Sequence, residues 1–165
     1  MRFIFALFVP VAAVAVVAAC SSSDDTDTPT NPPPTYAKSV YPILQESCAN
    51  TGCHGANTVA SNPDAGPPRG VHISPTDPND AYNSLVGKES FYFKGTKLIE
   101  PGDPDKSLVM RKMDGTQAEL ASCPGNCGTS MPPPEDPTDT SGKQLLSQSK
   151  RDKVYAWIKA GAKND

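Results

Sequence analysis

The chain has 165 residues, a net charge of −3, five cysteines and two histidines. No basic run follows its N-terminal segment, which argues against nucleic acid as a partner and against an electrostatic membrane site. Its acidic residues show no pairing suited to acid–base work, and two histidines leave little room for a Ser/His/Asp triad, so an enzyme is not expected.

In chain order, the first stretch reads as a targeting signal, residues 1–19. Arg2 supplies a short positive start, and Phe3 to Val17 form an apolar run too short to span a membrane. Small residues, Val17-Ala18-Ala19, precede Cys20, and that order resembles a bacterial lipoprotein signal in which Cys20 is lipidated. An ordinary secretory signal cut after a small residue, or an uncleaved anchor, is the alternative. Residues 20–35 carry Ser, Thr, Asp and Pro with no apolar side chain able to join a core, and read as a disordered linker. Residues 36–165 fit one domain.

The domain opens with a predicted helix over Ser39 to Ser47, where Val40, Ile43 and Leu44 share a face and Pro42 must lie in the first turn. It leads into Cys48-Ala-Asn-Thr-Gly-Cys53-His54-Gly55. A histidine directly after the second of two cysteines is what c-type haem attachment requires: the thiols bind the porphyrin and the imidazole reaches the iron. The usual spacing is Cys-x-x-Cys-His; here four residues separate the thiols. A disulfide loop beside an incidental histidine is the bland reading of the same residues.

Ala56 to Arg69 is loop, and Gly70-Val71-His72-Ile73 is a short extended apolar piece. Asp77-Pro78 reads as N-cap and first position of a second helix ending at Gly87, with Tyr82, Leu85 and Val86 inward. Phe91, Phe93, Leu98 and Ile99 form an extended apolar segment. A third helix is expected from Asp103 through Met113, with Leu108, Val109 and Met113 inward and Gly115 beyond its end. Thr116 to Gly142 is a loop long enough to imply a task. It holds Cys123-Pro-Gly-Asn-Cys127, whose turn residues favour a local disulfide over free thiols or a metal site, and then Met131-Pro132. The last helix runs from Ser147 to Ala160, with Val154, Trp157 and Ile158 on one stripe.

Short helices, little strand and 18 prolines give an all-α, loop-rich domain whose apolar side chains are few for its size. A buried haem would complete such a core. The ordered landmarks Val40-Tyr41-Pro42-Ile43-Leu44, Gly52-Cys53-His54-Gly55, Ala81-Tyr82, Pro101-Gly102-Asp103-Pro104-Asp105, Met131-Pro132 and Trp157-Ile158 resemble the small bacterial class I cytochromes c. They look closest to the cytochrome c-like lipoproteins and domains of myxobacteria and planctomycetes, over Tyr36 to Ala162. The resemblance implies a small cytochrome c-like fold with crossing N- and C-terminal helices. It implies one covalent haem c, with Cys48 and Cys53 as attachment points, His54 as proximal ligand and Met131 as distal ligand. His72, Met110 and Met113 compete with Met131 for that position. The expected role is outer-sphere electron transfer to a redox protein partner of unknown identity. The expected location is the bacterial cell envelope, on the periplasmic side or the outer membrane, held to the membrane by lipid. Other readings are a haem-free, disulfide-stabilised lipoprotein with a binding role, a five-coordinate haem sensor or peroxidase, and a zinc site at Cys48, Cys53 and His54.

Overall fold

A wide helical turn opens the folded part of the chain, and Pro42 explains its shape. Proline offers no N–H to the carbonyl four residues earlier and its ring crowds that carbonyl. The turn Tyr36–Val40 therefore closes in the π register, with the Tyr41 N–H donating to the Tyr36 carbonyl. Helix α1, Tyr41–Ser47, follows with Pro42 in its first turn. The helical start thus lies earlier than the spacing of apolar residues indicates.

The computed structural model describes residues 32–56, 70–123, 125–133 and 145–165. The predicted signal (1–19), Cys20 and most of the 20–35 linker lie outside the described residues, as do most of the Ala56–Arg69 loop, Pro124 and residues 134–144. Residues Asn31–Asp165 form one unit. Among the described residues the molecule is helical, without named strands, and no helix is long and apolar enough to cross a membrane.

Helix α2, Pro78–Leu85, begins where the Asp77 carboxylate accepts from the backbone N–H groups of Asn79 and Asp80, at 2.9 and 3.2 Å. It stops at Leu85, two residues before Gly87, because Val86 swings into extended backbone and forms an isolated parallel bridge with Ile99. The expected third helix is two pieces. A 3-10 turn, Pro104–Lys106, is separated from α3, Leu108–Asp114, by extended backbone at Ser107. The buried Ser107 hydroxyl donates to the Asp103 carbonyl and accepts from the Glu100 N–H, both at 2.9 Å. A serine that bonds the backbone locally in this way competes with the helix. Gly115, in the left-handed region with φ 69°, ends α3.

Helix α4, Gln148–Lys159, buries Val154, Trp157 and Ile158, the stripe read from the sequence. It meets the N-terminal turn through a buried aromatic cluster: the Tyr36 ring centroid lies 5.3 Å from Trp157 and 5.2 Å from Tyr82. Each polar tip donates to a carbonyl, Tyr36 to Pro78, Tyr41 to Ser74, Tyr82 to Ala162 and the Trp157 indole to Lys163. Asp165 joins the same contact, since its carbonyl accepts from the Ala37 N–H at 2.9 Å.

The Phe91–Ile99 segment departs from expectation. The Ser90 hydroxyl accepts the Phe93 N–H and curls the chain, so Phe93 is buried while Phe91 is 63% exposed. Leu98 and Ile99 are buried as expected.

Candidate functional site

The helix α1 terminus hands the chain directly to the cysteine loop. The Leu44 carbonyl accepts from both Cys48 N–H and Ala49 N–H, at 2.8 and 3.0 Å. The loop then folds on itself: Asn50 O accepts from Cys53 N–H and Gly55 N–H, and Cys48 O accepts from His54 N–H. Gly55 is the close-approach point, since a Cβ there would lie 1.9 Å from the Ala49 carbonyl oxygen. This packing explains why glycine follows the histidine.

The extended piece Val71–Ile73 holds His54 from the side. Ile73 N–H donates to the His54 carbonyl at 2.7 Å, and His54 Nδ1 lies 3.2 Å from the Val71 carbonyl. A carbonyl only accepts, so in the neutral imidazole this contact assigns the ring proton to Nδ1 and the lone pair to Nε2. That is the tautomer of a histidine that ligates through Nε2, and a backbone acceptor on the other ring nitrogen is the usual partner of such a ligand.

Cys48, His54 and Met131 all line one cavity of about 410 Å3. The volume falls in the roughly 300–1,000 Å3 range of small-molecule and cofactor sites. Its walls are mostly apolar, among them Leu44, Ile73, Leu85, Phe93, Leu98 and Leu108, with Met113 from α3 also facing it. Cys53 is a free, half-buried thiol and is not part of the lining. Cys48 is likewise free, and burial pushes its thiol up to about 12, with the neighbouring Cys53 adding to the shift.

Among the competitors for the far side, His72 stands outside the cavity lining and pairs with Asp80, Nδ1 to carboxylate, at 3.2 Å. Met110 is buried in the core and is also outside the lining, whereas Met113 shares the cavity with Met131. The sulfurs of Cys123 and Cys127 lie at disulfide distance, with Cα atoms 5.6 Å apart, and Cys127 is one wall of the cavity. Cys20 lies outside the described residues.

Among the described residues, no three or more His, Cys, Asp or Glu side chains are grouped so as to hold a metal ion. The zinc reading of Cys48, Cys53 and His54 is left without a supporting cluster. Haem ligation has no such need, because the porphyrin supplies the equatorial nitrogens itself.

Three features escaped the reading of the sequence. Val71 acts through its carbonyl, which no side-chain motif signals. Lys112 and Gln117 reach from α3 and the following turn to the Met131 loop, contacts that depend on tertiary placement. Tyr92, 44% exposed, stands at the cavity wall, where periodicity gave it no role. In comparisons with known proteins, no family model, no curated protein and no solved structure matches the chain.

Proposed function

We propose that the chain is a monohaem c-type electron carrier of the bacterial cell envelope, acting by outer-sphere electron transfer rather than as an enzyme. The observation that carries this reading is that Cys48, His54 and Met131 all open onto the same, largely apolar cavity. Helices from both ends of the domain meeting through Tyr36 and Trp157 accord with the crossing arrangement of class I cytochromes c.

The residues fit the group. Cys48 and Cys53 would carry the thioether bonds, and His54, with its proton on Nδ1, offers Nε2 as the proximal ligand. Met131 offers a thioether sulfur as the distal ligand, a soft donor that favours the ferrous state and raises the potential. A haem c bound there supplies one-electron Fe(III)/Fe(II) chemistry. The Val71 carbonyl fixes the imidazole plane and strengthens its donation. The apolar walls exclude water, which further tunes the potential. His54 and Met131 are the residues that would hold the iron, which would leave no place for a substrate on it, and Cys48 and Cys53 would lie on the side from which a docked redox protein exchanges electrons. Lipidation of Cys20 and a linker over residues 20–35 would tether the carrier to a membrane.

Spectroscopy on the full chain, produced with haem-maturation machinery, tests the reading. The reduced protein is expected to show c-type absorption bands, and the oxidised protein a Met-to-iron charge-transfer band that disappears in Met131→Ala. Survival of that band in Met131→Ala, with loss in Met113→Ala, would transfer the distal role to Met113. Absence of c-type bands would sink the proposal.

A further inference from the structure

Resting on the reading of Met131 as distal ligand, we infer that Lys112 is the positioning residue of the distal side, holding the Asn126–Met131 loop over the cavity through its ammonium group. Its main chain and side chain both grip that loop. The Lys112 carbonyl accepts from the Met131 N–H at 2.9 Å. Its Nζ donates to the Cys127 carbonyl at 2.5 Å and to the Thr129 carbonyl at 3.0 Å.

The loop is shaped to receive that charge. Gly128 has φ +63°, a conformation that costs glycine little, and a Cβ there would stand 3.4 Å from Lys112 Nζ. The Asn126 side-chain carbonyl accepts the Gly128 N–H at 3.1 Å, a local turn that lets the backbone wrap around the ammonium. Gln117 Nε2 adds a bond to the Gly128 carbonyl at 2.8 Å. The Cys123–Cys127 pair ties down the start of the segment. On the other side, Lys112 Nζ lies 5.6 Å from the Phe93 ring centroid, within cation–π range.

Lys112 is thus the one described residue that joins α3, the cavity wall and both carbonyls flanking Gly128. Carbonyls that share a cation are held by charge-assisted hydrogen bonds, the stronger kind. Without the ammonium the Cys127 and Thr129 carbonyls lose their charged donor, while the Met131 main-chain bond, the Gln117 contact and the Cys123–Cys127 pair remain. Met131 would then leave the iron more readily, although no ligand atom has been changed.

The test uses the full chain, loaded with haem, as wild type, K112M and K112R. K112M keeps the aliphatic stem and the main-chain bond and removes only the donors. It is expected to retain covalent haem and helicity, to lose part or all of the Met-to-iron charge-transfer band, and to show a lower midpoint potential. Imidazole, offered as an external ligand, should bind K112M about tenfold tighter or more, given the strength of hydrogen bonds to a charged donor. K112R, which presents a fork of donors, is expected to recover the band and the potential. If K112M cannot be recovered with haem, K112Q, with one amide donor on a similar stem, takes its place and should show the same changes in smaller measure. Wild-type band, potential and imidazole affinity in the variant would overturn the inference. A wild-type protein that takes no haem would instead overturn the parent reading, so the two failures are distinguishable.

Discussion

Gly55 follows His54 because the loop turns back onto Ala49, and a side chain there collides with backbone rather than with anything that can rotate away. Gly55→Ala is expected to displace the loop and lower the yield of covalent haem severely, with the helical content of the domain kept. Normal haem loading in Gly55→Ala would show that the loop tolerates the shift. The glycine itself stands in the sequence, directly after the histidine of the motif. Its cause does not, since the colliding carbonyl is identified only once the chain is folded. The same divide runs through the candidate site. Cys48, Cys53 and His54 announce themselves by residue type and order, whereas Val71 works through a main-chain oxygen that every residue possesses. His72, singled out because histidines are rare here, is occupied by Asp80 at the start of α2.

Elements follow their caps where the caps are local, and depart where a side chain competes with the backbone. Asp77 caps α2 and Gly115 ends α3 as the residue types indicate. Ser107, hydrogen-bonded to its own turn, breaks what reads as one helix into two, and Ser90 curls an apparently extended stretch. At this scale α4 packs against the N-terminal turn through aromatic rings. Trp157, 1% exposed, touches the Tyr36 and Tyr82 rings and donates to the Lys163 carbonyl. Trp157→Ala should therefore cost about 3–5 kcal/mol, read as a lowered urea midpoint. A loss under about 1 kcal/mol would show that this contact does not hold α4 to the N-terminal turn. The cluster also has a pH signature. Burial raises the Tyr36 phenol above its ordinary value of 10.0, with the Tyr41 and Tyr82 phenols adding to the shift. Below pH 10 both folded and unfolded chains keep that proton, and above it the unfolded chain releases it first. Stability should thus fall as pH rises beyond 10. Tyr36→Phe, with no proton to lose, should show a shallower alkaline decline in urea unfolding, and an unchanged slope would contradict the assignment.

At the scale of the molecule, helices of modest length leave a cavity with largely apolar walls between α1, α3 and the Met131 loop. That the sequence implied a helical, loop-rich domain short of core side chains follows from its prolines and its short periodic runs. What it could not give is the convergence of Cys48, His54 and Met131 on one space, because residues from 48 to 131 are brought together by contacts distant in the chain. Nor did it separate Met131 from Met113, which share the cavity. An electron carrier of this kind requires that the longer Cys-x4-Cys-His loop takes covalent haem. The most direct measurement is haem staining of the full chain on a denaturing gel after production with haem-maturation machinery, beside Cys48→Ser/Cys53→Ser. A stained band is expected in the wild type and none in the double variant. A wild-type band without haem, or an equally stained double variant, would contradict that expectation.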